Sequence, residues 1–220
     1  MKKVFCIVLI LLASLVGVAN AETDVTSMTD EELYSLRLQI NQELAVRNKA
    51  ITIPEGSTIA DLFPDTVFAK QIRDSIGAFS INDIVTQERL STVESVHFLN
   101  KNDGLTNLEG IQYLTNLRSL LLYYQSELRE IPDTIGKLFY LREISFEKCG
   151  ISKLPDSICN LANLSWFNIS NTDISSLPDD FGNLSALKEL DISYTKISEL
   201  PISIYNLELN TFKRDGLDFD

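Results

Sequence analysis

Apolar residues return through the second half of this chain with a period of 23 to 24 residues, and that period restricts the possible folds more than any other feature. One register starts at Val93, Leu117, Leu141, Leu164 and Leu187. Three and five residues after each start stand Val96 and Phe98, Leu120 and Leu122, Ile144 and Phe146, Phe167 and Ile169, and Leu190 and Ile192. Alternation over so short a span describes a strand with one buried face. Further on come Ile151, Ile174 and Ile197, then Leu154-Pro155, Leu177-Pro178 and Leu200-Pro201, with Ile131-Pro132 one turn earlier. A coil of this length cannot bury its own apolar edge, so neighbouring coils must stack. The expected architecture is α/β: a solenoid whose strands form a curved parallel sheet on the concave face. It spans residues 93–220, with about five repeats and a short C-terminal end. Each strand should be followed by a polar inward group that bonds backbone left unpaired by the sheet. Gln125, Cys149, Thr172 and Thr195 occupy that place. The prolines fall on the return side, where no sheet donor is lost.

Three segments precede the array. Residues 1–21 read as a signal peptide: Lys2 and Lys3, the apolar run from Val4 to Val18, then Ala19-Asn20-Ala21 as a small-x-small cleavage site. The run is shorter than the roughly 20 residues that cross a bilayer, so no stable membrane insertion is expected after cleavage. The mature chain then starts at Glu22, with a secreted or extracytoplasmic destination, at the cell surface or in the periplasm. Residues 22–50 contain an amphipathic helix, with Leu33, Leu36, Ile40 and Leu44 at helical spacing and Thr29 and Glu32 as a capping box. The sequence leaves open whether this helix docks on the repeat body. Residues 51–92 read as a linker through Ile53-Pro54-Glu55-Gly56-Ser57 and then a helical cap. Phe68, Ile72 and Ile76 recur every four residues before Gly77, and Thr86 opens a short helical turn through Leu90. A cap is what an exposed solenoid end requires.

Charge and chemistry narrow the function. The formal net charge of -12 repels phosphate backbones and anionic lipid, so neither nucleic acid nor a membrane surface is an expected partner. Cys6 leaves with the signal. Cys149 should point inward, and Cys159 should lie at another level on the convex return side, so no disulfide is expected. His97 is the only histidine, and short metal-ligand spacings are absent, so no metal or other cofactor is expected. No Gly-x-Ser-x-Gly, His-Glu-x-x-His or glycine-rich phosphate loop is present. Asp179-Asp180 reads as a solvated turn and Glu31-Glu32 as a dipole-matched helix start. His97 falls on the outward strand face with no obvious partner. The expectation is a binding protein, not an enzyme.

Phe63-Pro64-Asp65, Val85-Thr86-Gln87 and the stretch from Leu108 to Leu117 (Leu-Glu-Gly-Ile-Gln-Tyr-Leu-Thr-Asn-Leu) resemble the capped start of internalins. Leu154-Pro155-Asp156-Ser157-Ile158 is similar to the 23-residue repeats of plant and many bacterial leucine-rich-repeat proteins. The resemblance to secreted bacterial leucine-rich-repeat proteins covers roughly Ile51 onward. It implies a leucine-rich-repeat solenoid with a small helical N-terminal cap and an extracellular protein-binding role. It names no partner.

The register also lays out a candidate binding face. Outward positions form columns: Ser95, Ser119, Glu143, Trp166, Glu189; His97, Leu121, Ser145, Asn168, Asp191; Leu99, Tyr123, Glu147, Ser170, Ser193; and Asn100, Tyr124, Lys148, Asn171, Tyr194. Trp166, Leu121, Tyr123, Tyr124 and Tyr194 stand where a solvated strand would carry polar residues. Exposed aromatics clustered on one surface are the material of interface hot spots. With Glu143, Asn168, Glu189 and Asp191 they make the expected site for a protein ligand carrying basic groups. A glycan or cell-wall polymer is the alternative, since sugars also stack on aromatic rings.

Overall fold

Thr58 opens the first helix. Its hydroxyl accepts from the Asp61 amide, and the Asp61 carboxylate accepts from the Thr58 amide at 2.8 Å. This capping box starts α1, Ile59–Leu62, inside what the sequence suggests is linker. The computed structural model describes residues 51–101 and 103–217. The signal segment and the helix expected at 28–48 lie outside the described residues. Two further helices follow: α2, Thr66–Ser75, capped by Asp65, and α3, Gln87–Leu90, capped by Thr86. Phe63, Phe68, Ile72 and Leu90 are fully buried in the same core as Val93 and Val96, so these helices close the N-terminal end of the array.

Asp65 ties this cap to the first coil. One carboxylate oxygen accepts from the amides of Val67 and Phe68 at 2.8 and 3.0 Å. The other accepts from the amide and hydroxyl of Thr106 at 2.7 and 2.6 Å, and from the Asn107 amide at 3.3 Å. Gly110, at φ +92°, lets the coil pass directly against the Leu62 carbonyl, where a side chain would collide with cap backbone.

The array contributes six parallel strands in chain order: β1 Ser95–Phe98, β2 Ser119–Leu122, β3 Glu143–Ser145, β4 Trp166–Asn168, β5 Glu189–Asp191 and β6 Thr211–Lys213. The register follows the sequence columns residue for residue, with Ser95, Ser119, Glu143, Trp166 and Glu189 as successive partners. The sixth strand exceeds the expected five. Leu187 to Leu209 is 22 residues rather than 23, and Arg214 stands where earlier coils carry their second inward apolar residue. Behind the sheet, inward residues build one continuous core in which Phe146, Phe167 and Phe181 follow one another at ring separations of 6.2 and 6.1 Å.

The polar groups after the strands act as expected. Gln125 Nε2 donates to the carbonyls of Asn100 and Tyr123 at 2.9 and 2.8 Å. Cys149 Sγ donates to Leu122 O at 3.4 Å, and the hydroxyls of Thr172 and Thr195 donate to Ile169 O and Ile192 O at 2.7 and 2.8 Å. On the return side Pro132, Pro155 and Pro201 cap 3₁₀ turns at φ of -69°, -70° and -64°, the value the ring fixes. Four residues past each proline stand Gly136, Cys159, Gly182 and, in the last turn, Tyr205. Gly136 and Gly182 abut the carbonyls of Ser157 and Ser203 in the following coil, whereas Tyr205 is 83% exposed.

Cys149 and Cys159 are both free and both buried. The sequence register points only Cys149 inward; the next coil covers Cys159 as well. Burial pushes the Cys149 thiol up to about 11, and burial with the nearby Asp180 and Asp156 carboxylates pushes Cys159 to about 12. Such shifts leave roughly a hundredth of the usual thiolate at Cys149 and less still at Cys159. Alkylation of the native protein at pH 8 should therefore run about 100-fold slower than after unfolding. Equal rates, or a Cys149–Cys159 link in a non-reducing peptide map, would contradict the coil packing.

Candidate interaction face

The outward face of the sheet follows from the same alternation that builds the core. Each strand sends every second residue outward, and parallel pairing lines these residues into columns. In the first column Ser95, Glu143 and Glu189 are exposed, and Ser119, Trp166 and Thr211 are half-buried. In the second, His97 is exposed and Leu121 and Asp191 are half-buried, while Ser145 and Asn168 are buried. Asn168 is therefore not a surface group. Its Oδ1 accepts from the Ser170 amide at 2.9 Å, and its Nδ2 donates to Glu147 at 3.4 Å. Asp191 makes the equivalent bond to the Ser193 amide at 3.0 Å and pairs with Lys213 at 3.8 Å. These two residues brace the loop after their strands.

Tyr124, Lys148, Asn171 and Tyr194 share an unusual backbone, with φ of 60°, 56°, 58° and 55°. Side-chain-bearing residues adopt this left-handed region at a cost of about 1 kcal/mol. The neighbouring coil holds each one there: their amides donate to the carbonyls of Glu147, Ser170, Ser193 and Asp215 at 3.0, 3.1, 2.9 and 2.7 Å. The turn projects the residues along one margin of the sheet, where Tyr194 is 60% and Tyr124 37% exposed. Lys148 Nζ sits 4.7 Å from the Tyr124 ring centroid and donates to its hydroxyl at 3.2 Å. Tyr123, one residue nearer the strand, is half-buried.

His97 does have a partner, contrary to the sequence reading. Its Nε2 lies 3.1 Å from Ser119 Oγ, which donates to Glu143 Oε2 at 3.0 Å. His97 pairs in register with Leu121, so this contact is diagonal, a reach that strand alternation alone does not reveal. The polarity is the reverse of an activated serine. The hydroxyl proton goes to the carboxylate, so Nε2 must act as donor and leaves no base on the oxygen. The line orients Glu143.

The family described as "Bacterial adhesion/invasion protein N terminal", the internalin N-terminal family, matches residues 46–91. The leucine-rich-repeat family matches residues 163–184 and 186–207. Internalin C of Listeria monocytogenes is 33% identical over 85 residues, which are 39% of this chain and 28% of that protein. Internalin H of the same species is 34% identical over 88 residues, 40% of this chain and 15% of that one. The matched region thus spans under a third of either relative. Among solved structures, internalin C2 of Listeria monocytogenes superposes with a TM-score of 0.54 at 22% identity, over 77% of this chain and 82% of that one. A secreted internalin-like protein of the same organism gives 0.58 at 20% identity, over 76% and 61%. These two likenesses bear on the fold: an internalin-type helical cap followed by stacked leucine-rich coils. The cap and repeat matches together show an internalin-like bacterial leucine-rich-repeat protein.

Proposed function

We propose that this chain is an exported protein-binding module whose ligand lies on the concave, outward face of the sheet. The observation that carries the reading is the concentration of Trp166, Leu121, Tyr123, Tyr124 and Tyr194 on a face whose alternation has no structural need for them. The leucine-rich repeats support a protein-interaction role, and fold alone does not select the ligand. The Lys2-to-Ala21 pattern supports export. Among the described residues no helix is long and apolar enough to cross a membrane.

A random peptide-display selection against the mature protein tests the reading, with a glycan array run in parallel. Trp166→Ala should weaken selected peptides about 30-fold, near 2 kcal/mol on the hot-spot scale, with an unchanged melting temperature. Asp156→Ala, in a return-side turn, should bind like the parent. Peptides indifferent to Trp166→Ala would move the site off this face. Saturable binding to arrayed glycans without peptide binding would replace protein by carbohydrate as the ligand.

A further inference from the structure

The outward carboxylates of the sheet and its margins differ in whether they are neutralised. Glu94 pairs with Arg118 at 3.6 Å, Glu147 with Lys148 at 3.4 Å, and Asp191 with Lys213 at 3.8 Å. Glu143 and Glu189 have no ion pair among the described residues, and both are exposed. These two flank Trp166 directly: Glu143 is its register partner on β3 and Glu189 its partner on β5. The only tryptophan in the chain thus stands in one column between two uncompensated carboxylates, one fixed by Ser119 at 3.0 Å. Parallel strands lie about 4.8 Å apart, which separates the two glutamate backbones by about 10 Å with the indole between them.

Resting on the reading of this face as the binding surface, we propose that Glu143, Trp166 and Glu189 form a clamp for one arginine side chain of an extended peptide ligand. A guanidinium is planar and weakly hydrated, so it stacks on an indole and gains from the ring's negative face. Its donors fork toward both edges, which lets one cation reach a carboxylate on each side. Lysine offers a compact point charge and cannot serve both edges while lying flat. A chain with net charge -12 adds long-range attraction for a basic segment.

Trp166 is its own reporter, because its emission is the only indole signal in the protein. The probes are three short peptides, Ac-Gly-Arg-Gly-amide and its citrulline and lysine counterparts, titrated at low salt. The arginine peptide should shift the emission saturably. The neutral citrulline peptide should bind at least about 10-fold more weakly and the lysine peptide about 5-fold more weakly, the spread expected for a charged, stacked contact. Glu143→Gln with Glu189→Gln should weaken the arginine peptide about 10-fold at an unchanged melting temperature. Glu147→Gln, a carboxylate already paired with Lys148, should leave it unchanged. Equal binding of arginine and citrulline, equal binding of arginine and lysine, no saturation, or full retention in the double variant would each overturn the clamp. The display-selected peptides separate this from the broader reading. If they lose binding with Trp166→Ala but the arginine probe fails, the face stands and the clamp falls. If the arginine probe behaves as expected but the selected peptides ignore Trp166→Ala, the clamp stands and the face is not the main ligand surface.

Discussion

Asp65→Ala is expected to lower stability by about 4 kcal/mol, close to 10 °C in melting temperature for a domain of this size. The loss has two parts. Removing a helix N-cap costs about 1 kcal/mol. The amides of Thr106 and Asn107 and the Thr106 hydroxyl would then lose their carboxylate acceptor, and hydrogen bonds to a charged group at part-buried positions are worth about 1–3 kcal/mol more. Asp65 is 6% exposed, so water replaces these bonds poorly. Its titration supplies a second signature. Burial raises the carboxyl's pKa, but bonds from the Thr106 hydroxyl and the amides of Phe68, Thr106 and Asn107 outweigh it and hold the group below 3.8. A carboxylate depressed in the folded state contributes stability fully above its unfolded pKa and loses it as pH falls through the folded value. Melting temperatures measured from pH 6 to pH 2.5 should therefore drop more steeply below about pH 4 in the parent than in Asp65→Asn. If Asp65→Ala melts with the parent, the latch between cap and first coil is not what secures the N-terminal end.

Gly182→Ala should cost about 3 kcal/mol although it adds a single methyl group. The added carbon would overlap the Ser203 carbonyl, and that obstacle is backbone. Gly182 N also donates to Ser203 Oγ at 3.0 Å, and Ser203 Oγ donates to Asp179 O, so the two turns cannot slide apart without breaking both bonds. The coils must separate locally, and separation opens the core around Phe181. A lower urea midpoint at an unchanged slope is the expected result. A midpoint equal to the parent's would show that the turns are not in contact.

The sheet was legible to the residue because its cause is local: the same three-and-five alternation, repeated in phase, sets both strand and register. That is why Glu143, Trp166 and Glu189 could be placed side by side from spacing alone. Contacts that join distant segments left weaker traces. Asp65 sits in a recognisable Phe-Pro-Asp stretch, but nothing nearby announces Thr106, 41 residues on. The left-handed backbone at Tyr124, Lys148 and Tyr194 runs against their types; only Asn171 has the usual chemistry for it. There the amide bond to the next coil overrides local preference. Asn168 stands in an outward column yet is buried for a related reason: alternation gives the direction of a side chain, not whether neighbours such as Glu147 and the Ser170 backbone close around it. The sixth strand escaped the period because its coil is one residue short and places Arg214 where the others carry an apolar residue.

The small residue four places past each interior proline makes the coil an exchangeable part. A second copy of the 23 residues from Leu164 to Ala186, spliced in after Ala186, would meet its neighbours through the contact that Gly182 already makes, and would widen the sheet by one strand, about 4.8 Å. The same splice placed after the turn at Ile202–Asn206 would set its backbone on Tyr205. Length in this molecule is therefore adjustable where the small residues stand, and a coil stacked on the turn at Ile202–Asn206 would first have to displace the exposed Tyr205 ring.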